Sequence, residues 1–189
     1  MQILQEQNKA ASEIVDLIAT QLGDKNGAVH PATVITASAR LAGSFLFRSF
    51  DFPNQNISPG TPVLSEIANE KGSALIGVLS SMLNHFGVDI DSSSLKQAQK
   101  GEAKLGFLET LKILQDKALV IMENNQLNFE QMAYACSMAT AFLIKECKSE
   151  LSLESGFNTA IYAFIEGTKT FPPELKSQKS KKGFFKFWK

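Results

Sequence analysis

The residues best suited to chemistry at a surface lie in the last fourteen positions, 176–189, whose sequence is KSQKSKKGFFKFWK. Six of them are lysines, none is acidic, and the final six positions include four aromatic side chains. Lysine ammonium groups attract anionic headgroups, and aromatic rings favour the boundary between headgroups and acyl chains, so this composition is typical of an interfacial membrane segment. The residues expected to make these contacts are Lys181, Lys182, Phe184, Phe185, Lys186, Phe187 and Trp188.

The charge of the chain is divided unevenly between this segment and the rest. The protein has 19 Lys and Arg against 19 Asp and Glu, so its formal net charge is zero. Because six lysines lie in the last fourteen residues, the preceding part keeps 13 basic residues against all 19 acids. A net-acidic body repels phosphates, so nucleic acid is not an expected partner. The contrast favours an anionic membrane surface, a protein partner, or the body's own acids as the surface that the segment binds.

Two arginines form a second group of interest, because both lie in the strongly apolar stretch 31–50 (PATVITASARLAGSFLFRSF). A buried guanidinium requires a carboxylate, a carbonyl or a bound anion as its partner. The predicted protein partners of Arg40 are Glu66 and Glu70. The alternative is a small anionic ligand held in a pocket around Arg40 and Arg48.

Other types of catalytic or metal site are not predicted. The two histidines and two cysteines show no metal-ligand spacing, and no metal or cofactor is expected. Cys136 and Cys147 lie eleven residues apart in one predicted helix, roughly 16 Å along its axis, so they cannot form a disulfide and are expected to be buried thiols. His30, which precedes Pro31, is interpreted as a helix-entry residue rather than a base. Enzymatic activity is uncertain, and a non-enzymatic protein is favoured.

The periodicity of apolar residues predicts the elements that would position these groups. Repeats at three-and-four spacing and the scarcity of strand patterns indicate an all-α fold. We predict one domain over 1–171, a compact bundle of five to six main helices, followed by a flexible basic-aromatic tail over 172–189. The main helices are expected over 2–22, from 31, 62–86, 107–121, from 128, and 152–169.

Burial can be predicted for several of these helices. The region from 31 is apolar on nearly every face, which indicates a central helix, and Gly43 within it suggests a close helix contact. Four large side chains, Leu111, Leu114, Phe142 and Phe164, are expected to lie in the core. Stripes of small residues on several helices permit short distances between helix axes, and they also allow a homo-oligomer in which such stripes meet across a two-fold axis.

These patterns lead to one functional hypothesis and two alternatives. The favoured hypothesis is a non-enzymatic binding or scaffold module attached by its tail to an anionic membrane surface. The alternatives are a small-anion-binding protein or enzyme using Arg40 and Arg48, and a homo-oligomeric structural protein. No secretory leader and no bilayer-spanning run of about 20 apolar residues is found, so a cytoplasmic protein, peripheral at the membrane, is expected.

Overall fold

A computed structural model of the protein describes residues 4–50, 52 and 57–176. The residues that were predicted to bind a membrane or a partner, 181–182 and 184–188, lie outside this part of the chain. In the described part of the chain 68% of the residues are helical and no strand is formed, which confirms the predicted all-α class. Over the described ranges there are six helices of 16 to 20 residues and a seventh of four. They are α1 (Gln5–Leu22), α2 (Pro31–Arg48), α3 (Glu66–His85), α4 (Ser92–Leu95), α5 (Phe107–Asn124), α6 (Phe129–Glu146) and α7 (Leu153–Thr168).

Helix starts follow the capping chemistry of the sequence. Asn128 and Gln131 form a capping box at the start of α6: Asn128 Oδ1 accepts from the Gln131 amide at 2.8 Å, and Gln131 Oε1 accepts from the Asn128 amide at 2.9 Å. Such reciprocal pairs satisfy two amides that a helix end leaves without partners. Pro31 occupies the first position of α2, where its missing N–H costs nothing.

The predicted start of the third helix at Pro62 is wrong. The helix begins at Glu66, because Ser65 Oγ accepts from the Ala68 amide at 3.3 Å and so caps the first turn there. Pro62 instead lies in extended backbone and forms an isolated antiparallel bridge with Thr170. Gly72 lies inside a continuous α3.

Helix α2 occupies the centre of the bundle. Every residue from Pro31 to Phe47 is buried, and each of the other five long helices contacts α2, most extensively α6 and α7. This confirms the prediction of a central helix from a sequence that is apolar on nearly every face. The large apolar side chains of α2 need a partner surface on all sides, and the surrounding helices supply it.

The backbones of α2 and α7 touch directly where two glycines face each other. A Cβ atom built on Gly43 would lie 2.7 Å from the Cα of Gly167, and one built on Gly167 would lie 2.8 Å from the backbone oxygen of Arg40. Glycine is therefore required at both positions, and the close packing predicted from Gly43 is confirmed. Because small residues such as Gly156, Ala160 and Gly167 are also buried within the chain, these stripes give no support to the oligomer alternative.

Three of the four large side chains predicted for the core are buried. Leu111, Leu114 and Phe164 are each at most 1% exposed, whereas the prediction for Phe142 is wrong, since it is 36% exposed. Phe142 lies on the outward stripe of α6, where its ring meets the edge of Phe86 at a centroid distance of 6.3 Å. Helical periodicity gives the stripe to which an apolar residue belongs, and it does not say whether that stripe is covered.

Candidate functional site

Arg40 is held by three groups from two other parts of the chain. Its Nε donates to Glu166 Oε2 at 2.7 Å, and its Nη1 donates to the Leu105 carbonyl oxygen at 2.6 Å and to Thr110 Oγ1 at 3.0 Å. The residue is 8% exposed, so the predicted shielding and the predicted carboxylate partner are confirmed. Charge-assisted bonds of this length are among the stronger hydrogen bonds in proteins.

The specific partners that the sequence suggested for Arg40 are wrong. Glu66 and Glu70 both lie on α3 and are exposed. Helix α2 packs far more extensively on α7 than on α3, and Glu166 lies one residue before the Gly167 contact that brings α7 closest to α2. The acid that pairs with Arg40 is therefore fixed by the approach of α7.

Arg40 lines a surface cleft of about 1020 Å³, called here the Arg40 cleft. Its floor is formed by Thr36 and Arg40 of α2, one wall by a stripe of α7 containing Asn158, Tyr162 and Glu166, and the other wall by residues 95–103. The three residues on α7 recur every four positions, so they project from one face of the helix. Clefts of several hundred Å³ with a few convergent polar groups are the usual form of a small-molecule site.

The wall over 95–103 has almost no regular structure beyond the end of α4, and side chains hold it against the helices. Asn158 Nδ2 donates to the carbonyl oxygens of Leu95 and Ala98 at 2.9 and 2.8 Å. The Gly101 amide donates to Thr159 Oγ1 at 2.7 Å. A Cβ on Gly101 would lie 2.6 Å from that of Ala32, so the segment packs tightly on α2. The cleft is thus preformed by bonds that link the segment to α7.

The charges around the Arg40 cleft are mixed, with a small excess of positive charge. Lys96, Lys100 and Glu102 lie on the segment wall, while Arg40 of the floor pairs with Glu166 of the α7 wall. Lys100 Nζ lies 5.1 Å from the centre of the Tyr162 ring, within the range of a cation–π contact. Tyr162 is 60% exposed, so it presents an aromatic surface at the mouth.

Arg48 lies in a different environment. Its Nη2 donates to Gln115 Oε1 at 3.1 Å and to the Pro173 carbonyl oxygen at 2.5 Å, and its Nη1 donates to both oxygens of Ser44. Burial lowers the pKa of Arg48 to about 10, and the nearby Asp116 carboxylate opposes that change. The guanidinium therefore stays cationic at neutral pH, and it donates its hydrogen bonds to acceptors of the protein itself.

These bonds attach residues 169–176, called here the C-terminal strap, to the helical body. Besides Arg48, the side chains of Gln115 and Asp116 contribute: Gln115 Nε2 donates to the Glu174 carbonyl oxygen at 3.1 Å, and Asp116 Oδ1 accepts from the Lys176 amide at 3.0 Å. At the other end, the Phe171 amide donates to the Thr61 carbonyl oxygen at 2.9 Å. The chain is therefore fixed on α5 as far as Lys176.

The two arginines do not form one pocket among the described residues. They lie two helical turns apart on α2, about 12 Å along the axis, and Arg48 is absent from the lining of the Arg40 cleft. Sequence reasoning missed Glu166, Thr110 and Gln115. For Thr110 and Gln115 the available indication was that each is a polar residue on an otherwise apolar face of α5; Glu166 lies on a polar stripe of α7 and carried no such signal.

The histidine and cysteine predictions agree with the structure. His30 occupies the N-cap position of α2, and its Nδ1 lies 2.8 Å from Thr33 Oγ1. Cys136 and Cys147 are both buried and free, and burial is the main cause that raises the pKa of each thiol.

In the described part of the chain, no cluster of three or more His, Cys, Asp or Glu could hold a metal ion. Over the same residues, none of the helices combines the length and the apolar character that crossing a membrane requires.

Comparisons of the chain with protein-family models, with curated proteins and with solved structures found no match.

Proposed function

We propose that the protein is a helical binding or scaffold module that attaches to an anionic membrane surface through residues 177–189. The observation that carries the proposal is the C-terminal strap, which fixes the chain to α5 up to Lys176 and leaves the lysine- and aromatic-rich residues to follow from a defined point. In this proposal the protein is cytoplasmic and peripheral at the membrane, and no enzymatic step is assigned to it.

The charge distribution supports an electrostatic attachment. Residues 177–189 hold five lysines and no acid, and a lysine near an anionic leaflet is worth about 1 kcal/mol. Thirteen residues reach at most about 45 Å when fully extended. Once the rings and lysines are at the bilayer, Lys176 on the body lies within that distance of it.

Vesicle co-sedimentation tests the proposal, and the strap decides where the control should end. A chain ending at Pro173 would lose the Glu174 and Lys176 contacts and would place a terminal carboxylate beside Arg48. A chain ending at Lys176 keeps those contacts and removes only the segment in question. The full-length protein should bind vesicles rich in phosphatidylserine at low salt, whereas the chain ending at Lys176 should remain in the supernatant.

Charge variants distinguish electrostatic attraction from non-specific adhesion to the vesicles. Replacing Lys181, Lys182 and Lys186 by Gln should weaken binding by about 3 kcal/mol, roughly a hundredfold or more. The matched control replaces three exposed lysines of the body, Lys25, Lys104 and Lys148, by Gln. It removes the same formal charge and should leave binding nearly unchanged.

The rings and the salt dependence provide a further check. Trp188→Ala should weaken binding with little change in its dependence on salt, because the ring contributes apolar contact rather than charge. Affinity of the unmodified protein should fall as ionic strength rises past about 0.15 M, where the screening length is about 8 Å. Equal binding of the full-length and shortened chains, or equal binding to neutral vesicles, would remove the membrane proposal and favour a protein partner for the segment.

A further inference from the structure

The Arg40 guanidinium has one nitrogen that the protein does not use. Nε and Nη1 donate to three protein acceptors, but Nη2 has no hydrogen-bond partner among the residues that the structure describes. Over the same residues, every fully buried side-chain nitrogen or oxygen has a partner, so Nη2 must be reachable from outside. In a guanidinium Nη2 points to the same side as Nε, which is the side of Glu166, and both residues line the Arg40 cleft.

One turn earlier on α2, the Thr36 hydroxyl also has no hydrogen-bond partner among the described residues. Thr36 is 7% exposed and lines the Arg40 cleft, yet its hydroxyl contacts no acceptor or donor in the described part of the chain. The other buried threonines all use theirs, most of them by donating to the carbonyl oxygen four residues earlier. Those other threonines are Thr33, Thr110, Thr140, Thr159 and Thr168.

We propose that the Arg40 cleft is a binding site for a small aromatic monocarboxylate. The carboxylate accepts hydrogen bonds from Arg40 Nη2 and Thr36 Oγ1, two donors that the fold leaves without partners, four residues apart on one face of α2. The Glu166 carboxylate fixes the guanidinium through Nε and leaves Nη2 directed into the cleft. The site is independent of residues 177–189 and goes beyond the attachment proposed above.

Charge favours a carboxylate over a phosphate. Three basic side chains, Arg40, Lys96 and Lys100, face two acids, Glu102 and Glu166, so the cleft carries a formal excess of one positive charge. A singly charged anion matches that excess. Any anion bound to Nη2 lies beside the Glu166 carboxylate, and the resulting repulsion is about twice as large for a dianionic phosphate as for a monocarboxylate.

The exposed ring at the mouth favours an aromatic ligand. Tyr162 is 60% exposed, and Lys100 already lies over its face. A planar apolar group packing beside the ring gains contact area and covers a side chain that is otherwise in water. A cleft of about 1020 Å³ has ample room for such a molecule.

Benzoate is the probe for a test by amide NMR titration of the full chain without vesicles. Saturable shifts are expected at residues of the cleft, such as the Gly101 and Thr159 amides, at millimolar benzoate. Benzamide, which has the same ring without the charge, should produce no comparable shifts. Absence of saturation by about 20 mM benzoate, or an equal response to benzamide, would overturn the proposal.

Two variants test the assigned contacts. Thr36→Val keeps the shape of a side chain whose hydroxyl makes no internal bond, so it should fold normally and bind benzoate about tenfold more weakly. Lys100→Gln, at an exposed position, should weaken binding about threefold, and Thr20→Val on the exposed side of α1 is the matched control with no effect. Unchanged affinity in Thr36→Val overturns the proposed geometry, and tighter binding of inorganic phosphate than of benzoate overturns the carboxylate assignment.

Discussion

Arg40 and Arg48 have the same chemical group on the same helix, two turns apart, and both donate to a carbonyl and a hydroxyl, yet their other partners differ. Arg40 meets a carboxylate, a carbonyl and a hydroxyl, and keeps one nitrogen facing an open cleft. Arg48 donates to Ser44 of its own helix, to the Gln115 amide oxygen and to the Pro173 carbonyl oxygen, and so it holds the C-terminal strap. An arginine in an apolar helix thus predicts that acceptors will be found, but the acceptors themselves decide whether the residue binds a ligand or fixes a segment of the chain.

The largest effect is expected at Arg40. Arg40→Ala should lower the free energy of unfolding by about 3 kcal/mol, because it leaves Leu105, Thr110 and Glu166 without their donor; the value is at the lower end for buried ion pairs because the Glu166 side chain is 40% exposed. Arg40→Met should cost less, since the methionine keeps the packing of the arginine stem. Urea denaturation measures both. Equal stability of all three proteins would show that the Arg40 pairing is energetically neutral.

Gly43, between the two arginines, should have the next largest effect. Gly43→Ala should cost about 2 to 3 kcal/mol, because the new Cβ meets backbone atoms of Gly167 that cannot rotate away. Gly77→Ala on α3 is the matched control: its Cβ meets nothing within 4 Å, so the change should stabilise by up to about 1 kcal/mol through helix propensity. A thermal melt compares them, and a tolerated Gly43→Ala would contradict the direct contact of α2 and α7.

Removing Arg48 should have a smaller and more local effect. Arg48→Met should cost about 1 to 2 kcal/mol, since the guanidinium bonds to Gln115 and Pro173 are lost while the apolar stem remains. Hydrogen exchange should accelerate at the Phe171 and Lys176 amides of the strap. Amides beside the Arg40 cleft should keep their protection, and acceleration there as well would mean that the two arginine sites are coupled.

The smallest effects on stability distinguish a threonine hydroxyl that forms hydrogen bonds from one that forms none within the described residues. Thr110→Val should cost about 1 kcal/mol, because Thr110 Oγ1 accepts from Arg40 and donates to the Gly106 carbonyl oxygen. Thr36→Val should change stability by less than about 0.5 kcal/mol, as its hydroxyl has no partner in the described residues. Chemical denaturation of the two variants side by side tests this difference, and a large cost for Thr36→Val would reveal an internal partner.

The local features of the fold could be predicted from the sequence, because they depend on neighbouring residues. The all-α class, the burial of α2, the Asn128 capping box and the close contact at Gly43 all follow from periodicity, capping chemistry and residue size. The predicted start of the third helix is wrong because Pro62 and Ser65 are both good starting residues. The bridge of Pro62 with Thr170, which is distant in sequence, leaves Ser65 as the cap.

The sites could be predicted only in part, because their partners are distant in sequence. Burial of Arg40 followed from its apolar neighbours, but Glu166 lies 126 residues away, and only the packing of α7 on α2 brings it there. The contacts of Arg48 were less predictable still. One of its acceptors is the backbone carbonyl of Pro173, and a carbonyl has no residue type that a sequence pattern could reveal.

The burial of α2 from end to end has a consequence for synthesis of the chain. Helix α7, which covers one side of α2, follows it by about 120 residues, and at typical rates of roughly 5 to 20 residues per second it is made some 6 to 24 s later. Throughout that interval the apolar residues of α2 that pack on α7 in the folded protein lack this partner. A nascent chain or fragment ending before Leu153 should therefore aggregate or bind chaperones, and the protein should reach its native state only after release of its last helix.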